Sequence, residues 1–283
     1  MKKWSIALVL LFCGMCLFAQ SLFDLVETGT PEQVQAAIRA GAKLDDRDTI
    51  GMTPLMRAAQ YNENPAVITT LLNAGAKLDD RDEDGVTPLI LAASFNKNPE
   101  VITTLLNAGA KLDDRDELFG RTALMWAASF NENPEVITTL LNAGAKLDDR
   151  DELGMTPLMI AAWFNENPAV ITTLLNAGAR LDDRDTIGRT ALMRAAVFNE
   201  NPDVITTLLN AGAKVDDRDY YGWTPLMFAA SFNKNPDVIT TLLNAGADAK
   251  AKSIEGKTAF DYAQDNPKIK GTKAYWDLNN ARF

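Results

Sequence analysis

The chain has 283 residues, of which 47% are hydrophobic and 23% are charged, a composition typical of a folded globular protein. Lys2 and Lys3 are the only charged residues among the first 20, so the remaining chain has 26 basic and 38 acidic residues, a net charge of −12. Binding of nucleic acid or anionic lipid needs clustered Lys and Arg, so we expect no nucleic-acid partner.

The residue types that usually carry out catalysis are scarce. The sequence contains no histidine, and its two cysteines, Cys13 and Cys16, both lie in the N-terminal segment 1–20. The rest of the chain therefore lacks the usual general base, the commonest metal ligand and any thiol nucleophile. It also lacks a G-x-S-x-G sequence and a glycine-rich phosphate loop. We expect no enzyme activity, no cofactor and no bound metal.

Residues 1–19 are predicted to form a cleavable signal peptide. Two lysines precede the apolar stretch Ile6–Phe18, and Ala19 provides the small residue before the cleavage site. The stretch is shorter than the ~20 residues that a membrane span needs. We expect export to the periplasm or the medium, with no membrane span after cleavage. An uncleaved anchor and lipidation of Cys13 or Cys16 are the alternatives, and the mature N-terminal residue would distinguish them.

A unit of about 34 residues repeats along the rest of the chain. Six near-identical copies cover residues 51–84, 85–119, 120–153, 154–187, 188–221 and 222–255. A fixed period of this size is typical of a solenoid, in which each unit buries its apolar face only by stacking on its neighbours. The degraded copies at 20–50 and 256–283 are predicted to be capping repeats, the second with Tyr275, Trp276 and Leu278 covering the last open face.

The sequence of each repeat predicts two short antiparallel helices. In the first copy, Thr53-Pro54 supplies an N-cap and a proline at the first helical position, and the helix is expected to end near Tyr61. Asn64-Pro65 repeats this start signal, and Gly75 provides the left-handed residue that ends the second helix. Residues 77–84 have no helical period, and we predict an extended hairpin turn there.

The sequence G-x-T-P-L-x-x-A-A followed by V-I-x-x-L-L-x-A-G-A resembles the ankyrin repeat, closely over residues 51–255 and loosely at both ends. This resemblance implies a mainly α fold, an ankyrin-repeat solenoid of stacked antiparallel helix pairs joined by extended hairpin turns. The usual histidine after T-P-L is replaced, by Met56 and Ile90 in the first two copies. This replacement should remove a side-chain-to-backbone hydrogen bond between repeats and put apolar packing in its place.

The copies differ at only a few positions: the residue after the first Gly, the residues flanking the paired alanines, and the hairpin tips. The resemblance implies that these positions line a concave face that holds a partner, and aromatic residues and arginines are typical of interface hot spots. An extra residue in one hairpin is predicted to push Phe119 outward. The predicted partner-binding residues are Met52, Arg57, Phe119, Arg121, Trp126, Met155, Ile160, Trp163, Arg189, Arg194, Tyr220, Tyr221, Trp223 and Phe228.

The positions that do not vary, including the repeated L-D-D-R-D, are interpreted as scaffold. In the first copy the acids are Asp79, Asp80 and Asp82, with Arg81 between them. Calcium binding is one hypothesis for such an acidic turn. The favoured hypothesis is turn chemistry, in which the Asp side chains accept hydrogen bonds from nearby N–H groups and the arginine reduces repulsion between them.

These observations predict a non-enzymatic interaction module, monomeric and located in the cell envelope, that binds another protein through the hairpin tips and first helices. The sequence does not identify that protein. The alternative is a structural or protective envelope protein that stabilises other proteins without a dedicated ligand groove.

Overall fold

A computed structural model describes residues 21–283, and within this range the chain forms 16 α-helices and no β-strand. The predicted signal peptide lies outside the described residues. The first helices of the successive pairs are α1 (Leu22–Thr28), α3 (Pro54–Tyr61), α5 (Pro88–Phe95), α7 (Ala123–Phe130), α9 (Pro157–Phe164), α11 (Ala191–Phe198), α13 (Pro225–Phe232) and α15 (Ala259–Ala263). The second helices are α2 (Pro31–Arg39), α4 (Pro65–Asn73), α6 (Pro99–Asn107), α8 (Pro134–Asn142), α10 (Pro168–Asn176), α12 (Pro202–Asn210), α14 (Pro236–Asn244) and α16 (Lys273–Ala281).

The helices begin and end where the local signals predict. Thr53 is the N-cap of α3, and its hydroxyl accepts a hydrogen bond from the N–H of Met56 at 3.5 Å. Asn64 caps α4 in the same way, through the N–H of Ala66 at 3.0 Å. After α4, Gly75 has a φ of +104°, a left-handed conformation that glycine adopts without a steric penalty. The predicted helix pair of the repeat is therefore confirmed.

The helices form two layers. Each first helix packs beside the first helices of the neighbouring repeats, and each second helix packs beside the second helices. Fully buried small residues such as Ala58 and Ala59 allow the first helices to approach closely. Between the layers, residues such as Leu55, Ile68 and Leu71 are fully buried and form one core along the whole array. No repeat could bury this set alone, as expected for a solenoid.

A row of buried asparagines connects consecutive repeats just after each first helix. The Nδ2 of Asn131 donates to the carbonyl oxygens of Ala93 and Asn96 in the preceding repeat, both at 2.9 Å. Its Oδ1 accepts from the N–H of Asn133 at 2.9 Å. The bonds to the preceding repeat recur at Asn62, Asn96, Asn165, Asn199, Asn233 and Asn266. Met56 and Ile90, which stand in place of the usual histidine, are buried as predicted. The asparagines supply side-chain hydrogen bonds between repeats that these apolar residues cannot make.

The arginine of L-D-D-R-D makes a second set of bonds between repeats. Arg81 Nη1 donates to the carbonyl oxygen of Gly85 at 2.6 Å and to that of Arg115, in the next hairpin, at 2.9 Å. Its Nη2 pairs with Asp114 at 2.8 Å. Arg47, Arg115, Arg150 and Arg184 make equivalent contacts. The arginine therefore does more than reduce repulsion, because it fastens each hairpin to the next.

The hairpin tips are also in register. The N–H of Glu117 donates to the carbonyl of Asp84 at 2.9 Å, and the N–H of Glu152 donates to that of Phe119 at 3.0 Å. This close approach requires a glycine at the start of the repeat. Gly85 has a φ of +75°, and a Cβ at this position would lie 2.8 Å from the amide nitrogen of Glu117.

The capping repeats close the two ends of the array. At the N-terminal end, Thr30 and Gln33 form the predicted capping box of α2. At the C-terminal end, α16 buries Tyr275 and Leu278 as predicted. The prediction for Trp276 is wrong: its side chain is 54% exposed, because the residue after Tyr275 faces a different side of the helix.

Candidate functional site

One aspartate in each hairpin organises the turn and faces the first helix. In the first hairpin, Asp48 Oδ1 accepts hydrogen bonds from the N–H groups of Ile50 and Met52, both at 3.0 Å. Asp82, Asp151, Asp185 and Asp219 accept from the equivalent N–H groups. In the longer hairpin, Asp116 accepts from the N–H groups of Leu118 and Phe119 at Oδ1 and from that of Arg121 at Oδ2. The predicted turn chemistry is therefore confirmed for this position.

The second oxygen of this aspartate receives a donor from the variable positions. Arg57 Nε donates to Asp48 Oδ2 at 2.7 Å, and Arg194 Nε donates to Asp185 Oδ2 at 2.8 Å. In the repeat that has a tryptophan at the same position, the Nε1 of Trp126 donates to Asp116 Oδ2 at 2.8 Å. These donors come from the residue just before the paired alanines.

Where that residue cannot donate, an arginine 30 residues before the aspartate replaces it. Ile160 gives Asp151 no donor, and Arg121 Nε reaches Asp151 Oδ2 at 3.1 Å. Arg189 takes the equivalent place beside Asp219, but its Nε lies 3.7 Å from Asp219 Oδ2, an ion pair too long for a hydrogen bond. Burial, followed by the nearby charge of Arg194, lowers the pKa of Arg189. Much of the variation between copies therefore determines how a partly buried carboxylate is neutralised.

This arrangement corrects part of the predicted partner-binding set. Arg57, Arg121, Trp126, Arg189 and Arg194 occupy positions that vary between copies, but each pairs with a hairpin aspartate. Six residues expected at the surface are buried: Met52, Arg121, Met155, Ile160, Arg194 and Phe228. They fill the space between neighbouring first helices and hairpins, so they do not offer a free surface to a partner.

Asp82 is the exception among the hairpin aspartates. The two residues that could supply its donor are Met52 and Leu91, which instead form a small apolar cluster with Met56. Within the described part of the chain, the second oxygen of Asp82 has no hydrogen-bond donor and no cation. Burial raises the pKa of Asp82 more than the N–H groups of Val86 and Asp84 lower it.

The large apolar side chains that do reach the surface are concentrated on one side of the repeats. Within residues 21–255 they form two rows. The tip row lies at the hairpin tips and consists of Ile50, Leu118, Phe119, Leu153, Tyr220, Tyr221 and Ile254. The helix-end row lies at the C-terminal ends of the first helices and consists of Tyr61, Phe95, Phe130, Phe164, Phe198 and Phe232, which are 41–52% exposed.

Three predicted residues belong to the tip row. Tyr220 and Tyr221 are exposed, and Phe119 is 37% exposed. The outward displacement expected for Phe119 applies better to Leu118, because the ring of Phe119 folds back to 6.3 Å from that of Trp126. Trp163 and Trp223 are half-buried, and their rings stack on the helix-end row, Trp163 on Phe198 at 6.0 Å and Trp223 on Phe232 at 5.8 Å.

The helix-end row was not predicted. Its signal is present in the sequence, as an aromatic residue directly before the first asparagine of every Asn-x-Asn-Pro loop. Because this residue barely varies, its pattern is the same as that of a scaffold position. Repetition alone does not separate a buried position from an exposed one, and only the packing of the first helices shows that this residue projects beyond them.

Aromatic contacts join the two rows into one surface, which we call the aromatic face. Between the rows, the ring of Trp126 lies 6.3 Å from that of Phe119 at the hairpin tip and 5.7 Å from that of Phe130 at the helix end. Along the array, the Phe130 ring lies 6.1 Å from that of Phe95 and 6.3 Å from that of Phe164. A surface depression of about 610 Å³ lies beside Phe95 and Phe130. The aromatic face therefore spans several repeats.

The described residues 21–283 contain no helix long and apolar enough to cross a membrane. The same residues contain no group of three or more Asp, Glu, His or Cys side chains arranged to hold a metal ion.

The two stacked layers of short helix pairs joined by hairpin turns define an α-solenoid of the helix–turn–helix repeat class. A family model described as ankyrin repeats (3 copies) matches residues 22–116, 93–185 and 164–253. The chain therefore belongs to the ankyrin-repeat family, as the sequence predicts. Ankyrin repeats are generally protein-interaction modules. Comparison with curated proteins finds no significant match to this chain.

Proposed function

We propose that the protein binds another protein through the aromatic face. The observation that carries this proposal is the segregation of exposed apolar residues. Within residues 21–255 they form the tip row and the helix-end row, whereas the second helices of this range expose polar residues such as Thr138 and Asn142. An exposed apolar surface of this extent is typical of an interaction site. Because the face belongs to a hydrogen-bonded array, binding should require little ordering of the protein itself.

A second part of the proposal concerns location. Residues 1–20 have the pattern of an export signal, and the absence of cysteine from residues 21–283 is compatible with an oxidising compartment. We propose that the partner is met in the cell envelope or outside the cell, and that the chain binds it as a monomer.

The aromatic face is tested by replacing two rings at its centre, Phe130→Ser with Phe164→Ser. Both side chains are about half exposed, so the change should remove binding area with little effect on the core. We expect capture of the partner from the cell envelope to fall about tenfold or more, as for interface hot spots. The tryptophans are poorer probes, because Trp126 is hydrogen-bonded to Asp116 and its removal would also affect the hairpin.

The matched control is Thr138→Ala with Thr172→Ala, two exposed residues on second helices. Both variants should keep the melting temperature and helical circular dichroism of the unmodified protein. Equal capture by the phenylalanine variant, the control and the unmodified protein would show that the aromatic face is not the binding site.

A further inference from the structure

The charges around the aromatic face have one dominant sign. The loops beside the helix-end row expose Glu63, Glu132, Glu166 and Glu200, against the two lysines Lys97 and Lys234. One of those lysines, Lys234, already pairs with Glu200 at 3.4 Å. The hairpin tips carry no basic residue at all, and they expose Glu83, Asp84, Glu117 and Glu152. The aromatic face therefore lies between two acidic margins.

Among the hairpin aspartates of the described residues, Asp82 is the one whose second oxygen has neither a hydrogen-bond donor nor a cation. Asp48 and Asp185 each pair with an arginine nine residues later in the chain, and Asp151 pairs with Arg121, 30 residues earlier. Asp82 occupies the same place in its hairpin, where Leu91 replaces the arginine. Its carboxylate also faces the acidic groups Asp84 and Asp116, which further disfavour its charged form.

Asp82 is close to the helix-end row. Leu91 stands where other repeats have the arginine, and it lies one turn before Phe95 on the same side of α5. The place of the absent arginine and the exposed ring of Phe95 therefore share one helix face. In the preceding repeat an arginine occupies this position, and the guanidinium of that residue, Arg57, lies 5.9 Å from the ring of Tyr61. A cation that approached Asp82 from outside would therefore also contact the aromatic face.

We propose, on the basis of the proposed function, that the partner presents a basic segment with an apolar side, and that one of its Lys or Arg side chains pairs with Asp82. The apolar side chains of the segment cover the aromatic face, and its other positive charges lie against the acidic margins. A second copy of this chain fits poorly, because it would place acidic margins against acidic margins, and like charges across an interface disfavour binding.

The probe is a synthetic amphipathic helical peptide with leucines on one side and lysines on the other, with glutamates for lysines in the control peptide. Binding to the full-length protein is followed by fluorescence anisotropy. We expect the lysine peptide to bind and the glutamate peptide not to bind. Two variants test Asp82: Asp82→Asn removes the charge, and Leu91→Arg supplies the internal arginine found in other repeats.

Each of the two variants should weaken binding of the lysine peptide about tenfold, the size expected for one good charge pair. The matched control is Asp79→Asn, which removes the same charge from an exposed acid in the same hairpin and should change binding less than about twofold. Leu91→Arg should also raise the melting temperature, because Asp82 gains its internal partner. Equal binding of the two peptides, or equal losses from Asp82→Asn and Asp79→Asn, would overturn the proposal.

The Phe130→Ser, Phe164→Ser variant separates this inference from the proposed function. If that variant loses the cellular partner while the unmodified protein ignores the lysine peptide, the partner chemistry is wrong and the aromatic face remains the binding site. If the variant binds both the partner and the peptide normally, both proposals fail.

Discussion

Asp48 and Asp82 occupy equivalent positions in successive hairpins, yet their environments shift the pKa in opposite directions. For Asp48, burial alone raises the pKa, but hydrogen bonds from Ile50, Arg57 and Met52 outweigh it and hold the pKa below its ordinary value. For Asp82, burial is opposed only by backbone N–H groups, and the pKa is raised. The two sites differ in two ways: Asp82 has no arginine, and it is more deeply buried.

These shifts predict opposite effects on stability. A lowered pKa in the folded state means that Asp48 stabilises the fold above the unfolded pKa of about 3.9, and that this stability is lost as the pH falls through the folded value. A raised pKa means that Asp82 favours the fold when it is protonated, and that this contribution is lost as the pH rises through its folded pKa.

We therefore expect Asp48→Asn to lower the free energy of unfolding at pH 7 by about 1.5–3 kcal/mol, the usual value of a hydrogen bond to a charged group. Asp82→Asn should raise it or leave it unchanged, because the amide keeps the Oδ1 acceptor and removes the unpaired charge. Urea denaturation between pH 3 and pH 7 measures both, and the effect of Asp48→Asn should shrink at the acid end. A loss of stability from both variants at pH 7 would contradict this account.

At the scale of the helices, the sequence predicts most of what the structure shows, because the signals are local. A Thr-Pro or Asn-Pro pair begins each helix of the central repeats, or Thr-Ala in two first helices, and a glycine follows each second helix. What the local signals do not show is which side chains bond to another repeat. Asn62 and Asn64 are both polar residues of one loop, but Asn62 is buried between repeats whereas Asn64 is exposed at a helix start.

The buried asparagines should be among the costliest polar residues to replace. Asn131→Ala removes the donors to two carbonyl oxygens, those of Ala93 and Asn96, and each buried carbonyl left without a donor costs about 1–3 kcal/mol. The control is Asn107→Ala, at the exposed end of α6, where we expect a change below ~0.5 kcal/mol. Thermal and urea unfolding measure both, and similar losses from the two variants would show that the asparagine bonds do not hold the repeats together.

The core runs along the whole array, but the helices of each repeat pack only against those of its neighbours. The cost of a core substitution should therefore depend on its position along the array. Leu140 in α8 and Leu242 in α14 are equivalent and fully buried, but α14 lies next to the C-terminal capping repeat. The end of the array can unfold locally while the other repeats stay folded. A substitution in a terminal repeat should therefore cost less global stability than one in a central repeat.

We expect Leu140→Ala to cost about 2–5 kcal/mol of global stability, the usual range for a buried leucine. Leu242→Ala should cost less in global unfolding and should instead make hydrogen exchange faster in residues 222–283. Leu141→Ala is the control within the same helix, because Leu141 is only half-buried and should cost less than Leu140→Ala. Equal global losses from Leu140→Ala and Leu242→Ala would mean that the array unfolds as a single unit.

The sequence by itself determined the repeat, the helix pairs and the family, because periodicity, helix caps and turn residues act over a few residues. It also pointed to the elements on which the exposed apolar residues of the repeats lie, the hairpin tips and the first helices. Only the tertiary structure decided which residues on those elements are available. Stacking buried the varying arginines against the hairpin aspartates and left the repeated aromatic residues, Phe130 among them, exposed. Exposure depends on contacts between successive repeats, which lie far apart in sequence, and no pattern within one repeat encodes those contacts.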